Sequence, residues 1–379
     1  MRGQTAVAAL FCSLGFQYAT WAARIPAIKT DLGLSAAEVG VLLMAAGIGA
    51  SVSFPLVAVL MRRLGSRRLA LLSALGLTAL LPALAAAPGY PAALLVVCVD
   101  GVLVGCLNTA MNAQGAALEA GFGRNAMARL HATFSGGSLL AALLASGTTA
   151  VTPSVTAHFC AAAAVLVLLI AYARTGLLPD DAPAAPGPGP KKPRTRWTAL
   201  SRTTWWMCCA MAFGTVTEGA MNDWSSLYLK DVARAPAELA PLGIAVVSGM
   251  MVLARLFADH WRARWGDRRV VLLGSALAGT GLALALASGG VAPALIGFAC
   301  VGLGIAAVTP CVYVAAARQG PDALALVAAM GTTGLLAGPP LIGFVANASG
   351  LTWGMAVVAG AACVVALCGT RIRWTAVTG

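Results

Sequence analysis

Acidic side chains are scarce. Asp and Glu number 13 in 379 residues, and all charged side chains together reach 10%, against about 25% in an average soluble domain. So few charges cannot cover a water-soluble fold, and that class is excluded. Histidine is rarer still: His131, His158 and His260 cluster neither with one another nor with cysteines, which removes the ligand set of a metal centre. There is no Gly-x-x-x-x-Gly-Lys-Ser/Thr stretch and no soluble domain to hold one, so nucleotide hydrolysis is not expected as an energy source. His, Asp, Glu and Ser do not gather at one end of the apolar runs, as a membrane enzyme would require. A sensor without transport would need an output domain or long tail, and only five residues follow Trp374. No catalytic residue, metal or cofactor is expected.

What is abundant is apolar sequence: 59% hydrophobic residues and a mean hydropathy of +0.85. At about 20 apolar residues per bilayer crossing, roughly twelve helices fit. Apolar segments lie near 4–23, 35–60, 69–87, 92–118, 130–150 and 155–173, then near 204–227, 239–259, 270–288, 291–316, 323–346 and 351–370. The expected fold is an all-α polytopic membrane protein with twelve transmembrane helices in two six-helix bundles, 1–178 and 204–379. Between them, 179–203 holds Pro186-Gly187-Pro188-Gly189-Pro190 and then Lys191, Lys192, Arg194 and Arg196; such a stretch neither buries a core nor continues a helix, and reads as a cytoplasmic linker.

The net charge of +12 is distributed by topology. With both termini cytoplasmic, twenty Lys/Arg fall on the inner side, four (Arg24, Lys29, Lys230 and Arg234) on the outer side, and Arg255 inside a span. That bias is the positive-inside pattern of a multi-pass inner-membrane protein embedded in lipid, and it argues against nucleic acid as a partner. All ten cysteines sit in apolar runs and read as small packing residues.

The halves repeat. Arg63-Leu64-Gly65-Ser66-Arg67-Arg68-Leu69-Ala70-Leu71-Leu72 matches Arg264-Trp265-Gly266-Asp267-Arg268-Arg269-Val270-Val271-Leu272-Leu273 at six of ten positions, each after the second apolar span of its half. A weaker echo, offset by 197, relates Gly123, Ala126, Ala128 and Gly137 to Gly320, Ala323, Ala325 and Gly334. With six-plus-six topology, these point to an internal duplication.

This plan resembles the major facilitator superfamily along essentially the whole chain. The Arg63, Gly65, Arg67 loop and its repeat around Arg264 and Gly266 stand where that family has its cytoplasmic gating sequence, with Arg62 and Ala263 where the family's Asp is usual. Gly105-Cys106-Leu107-Asn108-Thr109-Ala110-Met111-Asn112, Thr133-Phe134 before Ser135-Gly136-Gly137, Glu218 with Trp224, and Gly338-Pro339-Pro340 resemble the fucose-permease-like branch. The resemblance implies secondary transport of a small solute by alternating access, energised by an ion or solute gradient. The branch's span-four carboxylate is Asn108 here, and its span-one acid is missing, so proton handling at those positions does not carry over.

A charge at the bilayer centre costs at least about 2.5–3.5 kcal/mol, so polar residues inside spans need a reason. Asp100, Asn108, Asn112 and Glu119 fall within about 120° of arc on span four, facing either a central cavity or neighbouring helices. Glu218, Asn222 and Ser225 share a face of span seven, with Asp223 about 140° away from Glu218. Glu218, then Asp100, is the expected proton-coupling carboxylate, the competing reading being a structural pair with another helix. Gln17 and Trp21 on span one, with Asn108, Asn112, Asn222 and Tyr313, are candidates for holding a sugar or polyol; Trp21 and Arg24 also read as an interfacial anchor. Arg255 and Asp259, spaced i, i+4 on span eight, read as a compensating pair or part of the inner gate. The expected function is proton-coupled transport of a sugar-like solute by a monomer, with efflux of an amphipathic metabolite or drug as the alternative.

Overall fold

The computed structural model describes residues 2–122, 127–179 and 201–374, and only the backbone of residues 119–122, 127–128, 259 and 321. Most of the expected linker, Arg124, and the side chains of Glu119 and Asp259 lie outside the described residues. The helices are α1 Arg2–Ala22, α2 Ile25–Asp31, α3 Ala36–Ala85, α4 Tyr90–Phe122, α5 Met127–Val151, α6 Val155–Arg174, α7 Arg202–Asp231, α8 Leu242–Ser288, α9 Val291–Ile305, α10 Val308–Gln319, α11 Pro321–Ser349 and α12 Leu351–Arg371. No strand occurs among the described residues.

Helices and crossings do not match one to one. The 50 residues of α3 would extend about 75 Å if straight, far beyond a hydrocarbon core of about 30 Å. Gly65 breaks α3 at φ 75°, ψ 170°, and Gly266 breaks α8 at φ 77°, ψ 154°. That backbone geometry is open to glycine and strained for any residue with a Cβ, so each arginine-rich turn joins two crossings. Conversely, α1 with α2, and α9 with α10, each make one crossing. Among the described residues, nine stretches are long and apolar enough to cross a membrane, one of them the doubled α3. The first arm of α8, Leu242–Ala258, is a shorter apolar helix, and α7 is long enough at 30 residues but too polar to join that set. Twelve crossings follow, six in α1–α6 and six in α7–α12, and the chain is an all-α polytopic protein.

The repeat read in the sequence has a structural counterpart. A Cβ on Gly137 would fall 2.1 Å from Cys12 O, and one on Gly334 would fall 2.3 Å from Ala212 O, so α5 meets α1 backbone to backbone as α11 meets α7. Beside Gly65, Ser66 Oγ accepts from Gln114 Nε2 at 2.8 Å. Beside Gly266, Asp267 Oδ1 lies 3.8 Å from Cys311 Sγ and accepts from Arg262 Nε at 2.8 Å. The turn after span eight is therefore fastened by the aspartate that follows its glycine, a tie the gating-sequence comparison did not anticipate.

The start of α1, the end of α12, Gly65 and Gly266 share one face, the arginine-rich face. Arg67 Nη2 donates to Arg174 O at 3.0 Å there. Away from it, both halves contribute to a single hydrophobic core that includes Trp21, Leu81, Met221 and Trp224. Toward it, the first half has a separate core of its own, built around Phe11, Leu77, Leu107 and Met111. The halves are thus fused at the opposite face and part toward the arginine-rich one. They touch where α3 packs on α11 and α5 on α8.

Without a hydrophobic drive between helices in lipid, close contact of small residues and dispersion hold such a bundle together. A Cβ on Gly101 of α4 would sit 1.9 Å from Ala46 O of α3. Gly101→Val is expected to destabilise the fold by on the order of 3 kcal/mol, as overpacking does, measured as a lower melting temperature and less monodisperse protein in detergent.

Candidate functional site

Among the described residues, three polar clusters lie within the spans. Ten residues into α4, about 15 Å from the opposite face, Asp100 Oδ1 accepts from Gln17 Nε2 at 2.7 Å. Asp100 is 5% exposed. Among the described residues Gln17 Oε1 and Trp21 Nε1 have no hydrogen-bond partner, and Trp21 shares a small cleft with Asp100 and Leu80, Leu81 and Leu84. Gln17, Trp21 and Asp100 are therefore brought together inside the first half, buried in this state.

The second cluster bridges the halves. The Tyr18 hydroxyl of α1 donates to Asp223 Oδ1 of α7. Asp223 is 3% exposed, and among the described residues it has no cationic partner. Nearer the opposite face Lys29 Nζ of α2 and Asp231 Oδ2 of α7 pair at 2.6 Å, and Ser146 Oγ of α5 donates to Glu238 O at 2.6 Å. Gly40 of α3 and Gly343 of α11 let their backbones meet. These contacts close the opposite face. Helical angles correctly placed Asp223 away from Glu218, but its partner Tyr18 belongs to the other half and carries no signal in the sequence beyond being one residue from Gln17. Tyr18→Phe removes the buried hydrogen bond and leaves the ring, and is expected to shift the population away from the closed opposite face by about tenfold. Hydrogen–deuterium exchange of peptides in α1 and α7 reads that shift.

The third cluster sits near mid-depth. Arg255 Nη2 of α8 pairs with Glu218 Oε1 of α7 at 3.0 Å, and Arg255 Nη1 donates to Ser135 Oγ of α5. Arg255 thus joins a carboxylate of its own half to a hydroxyl of the other. Sequence spacing pairs Arg255 with Asp259, whose side chain lies outside the described residues; Glu218 reaches Arg255 from the adjacent helix. Asn222 Nδ2 donates to Glu218 O at 3.1 Å, so its amide is turned back on its own helix. Glu218 and Arg255 remain part-exposed, with side-chain exposures of 25% and 20%.

The other candidates are separate. Asn108 is exposed and its Oδ1 accepts from Asn112 Nδ2 at 3.0 Å, on the arginine-rich side of Asp100. Tyr313 is half-buried on α10. Arg63 and Arg264 are exposed beside their glycine breaks at Gly65 and Gly266. Arg24, expected as an interfacial anchor, is buried: its guanidinium donates to Thr149 Oγ1 and to Pro153 O at 2.6 Å. The break between α1 and α2 carries it inward, an event helical periodicity does not foresee.

The chain matches the Major Facilitator Superfamily family model over residues 6–322. It is 31% identical over 358 residues to an uncharacterized MFS-type transporter of Yersinia pestis, covering 92% of this chain and 90% of that one. It is also 31% identical over 355 residues to the membrane protein MosC of Rhizobium meliloti, covering 92% and 84%. Among solved structures the nucleoside transporter NupG superposes with a TM-score of 0.72 at 14% identity, over 98% of this chain and 99% of that one. FucP in its outward conformation gives 0.61 at 18% identity, over 97% and 99%. These structures share the fold. The two six-crossing halves with polar clusters in their spans and the family match converge: the chain belongs to the major facilitator superfamily and is a multi-pass membrane secondary transporter.

Proposed function

We propose that the chain couples the movement of a small neutral polyhydroxy solute, a sugar or polyol, to protons, with Glu218 as the coupling carboxylate and Asp100 as a second proton-binding group. The observation that carries this reading is the Ser135, Arg255, Glu218 bridge. Removing charge from one member of an ion pair in a low-dielectric setting leaves the other uncompensated. A proton on Glu218 frees Arg255 to donate elsewhere, to a solute hydroxyl or wholly to α5, so protonation and the relation of the two halves are linked.

The remaining groups suit a neutral solute. Gln17, Asn108, Asn112 and Asn222 offer amides, Tyr313 a hydroxyl and Trp21 an aromatic face with a spare N–H; hydroxyls satisfy such groups without an extra counter-ion. Arg255, with Asp259 one turn further along α8, gates the path to the arginine-rich face, and the breaks at Gly65 and Gly266, with Arg63, Arg67 and Arg264, are the turns that face moves on. The excess of Lys and Arg there supports a cytoplasmic position for it in a bacterial-type inner membrane. A monomer is the transporting unit, because the path lies between its own halves.

The test is uptake into proteoliposomes of a panel of labelled sugars, polyols and lipophilic cations, with and without an imposed pH gradient. Accumulation of a polyhydroxy solute only with the gradient supports the reading. Gradient-driven movement confined to lipophilic cations contradicts it and favours efflux of an amphipathic compound.

A further inference from the structure

Where α7 enters and α12 leaves the bilayer on the arginine-rich face, a cavity of about 330 Å³ is lined by Ser201, Arg202, Thr203, Trp206, Arg371 and Arg373. It is remote from the polar clusters above. None of the three arginines makes an ion pair or side-chain hydrogen bond among the described residues, although salt-bridged arginines occur elsewhere on this face, as Arg262 with Asp267 shows. The amides of Arg202 and Thr203 precede the first backbone hydrogen bond of α7, which runs from Thr204 N to Ser201 O at 2.9 Å, so both are donors without an intrahelical acceptor. Thr203 is 7% exposed and lines the cavity, and among the described residues its hydroxyl makes no hydrogen bond. The C-terminus of α12 contributes only about half a negative charge, far short of balancing three guanidinium groups. The site is built for an anion with several acceptor oxygens, the chemistry of a phosphate group.

We propose that this cavity binds the phosphate of an anionic phospholipid headgroup. A lipid source is favoured over free phosphate by what surrounds it. Trp206 forms one wall, Trp205 beside it is exposed, and Trp374 Nε1 donates to Gly369 O at 2.9 Å, folding the chain beyond α12 back onto the helix. Tryptophans at this level mark the headgroup zone, and basic pockets between transmembrane helices at such a surface hold anionic headgroups.

The test uses native mass spectrometry of the full chain in detergent, with phosphatidylglycerol, phosphatidylcholine or inorganic phosphate added separately and in competition. The wild-type protein is expected to retain phosphatidylglycerol selectively, and the double variant R371Q/R373Q to bind it on the order of 25-fold more weakly, at about fivefold per arginine. Arg202→Gln, on the other helix, is expected to lose about fivefold, which keeps the test independent of how α12 ends. All three positions are exposed, so an unchanged elution profile and melting temperature in phosphatidylcholine accompany the loss. Equal retention of phosphatidylglycerol by wild type and double variant, or equal retention of phosphatidylcholine, overturns the proposal. Displacement of the lipid by millimolar inorganic phosphate assigns the site to free phosphate and overturns the lipid source.

Discussion

Glu218→Gln is expected to abolish accumulation against a gradient while leaving exchange of solute across the membrane intact. The amide keeps the size of the side chain and an oxygen able to accept from Arg255, so the mid-depth contact at 3.0 Å is preserved in shape and loses its charge. The variant is permanently in the state that a bound proton creates in the wild type. A pH gradient of one unit supports about tenfold accumulation for one proton per solute, since one unit corresponds to about 1.4 kcal/mol. The variant is expected to reach no accumulation at any imposed gradient, while counterflow between labelled and unlabelled solute continues. Undiminished gradient-driven accumulation would transfer the coupling role to another group. Asp100 and Asp223, both buried against neutral donors, would be the next to replace.

Gly343→Leu is expected to hold the protein open at the opposite face. A Cβ at this position would lie 2.8 Å from both Ala36 O and Gly40 Cα, which are backbone atoms of the other half and cannot rotate aside. Overpacking of this kind costs about 1–3 kcal/mol. The cost applies only while α3 and α11 are pressed together, so it falls on one conformation and shifts the population by roughly 5- to 150-fold. Hydrogen–deuterium exchange is expected to quicken in peptides around α2 and the start of α3 and to slow near Gly65 and Gly266. Faster exchange at both faces would mean general loosening, and no change would mean that the Gly40–Gly343 approach is not a closing contact. Because transport requires both conformations, turnover falls in parallel.

Much of this architecture was legible in the primary sequence, since crossing number and repeat follow from where apolar runs and paired arginine-rich turns fall. Gly65 and Gly266 were visible as paired positions because the backbone conformation they permit is tied to residue type. The clusters were only half legible. Periodicity placed Asp100 on an interior face and Glu218 on a face with Asn222, because spacing along one helix fixes direction. Gln17 with Asp100, Tyr18 with Asp223, and Arg255 with Glu218 and Ser135 are contacts between helices 37 to 205 residues apart, and no spacing rule reaches across that distance. Arg255 illustrates the limit: spacing offers it Asp259 on its own helix, and it is silent on the bonds Arg255 makes to Glu218 of the adjacent helix and to Ser135 of the other half.

In this mechanism solute and proton move together through Glu218. It is tested most directly by recording external pH in a weakly buffered suspension of proteoliposomes when the transported solute is added outside, with no imposed pH gradient. Alkalinisation of the medium is expected with the wild-type protein, proportional to solute entry, and none with Glu218→Gln. Solute entry through the wild-type protein at a steady external pH would contradict it and identify a facilitator.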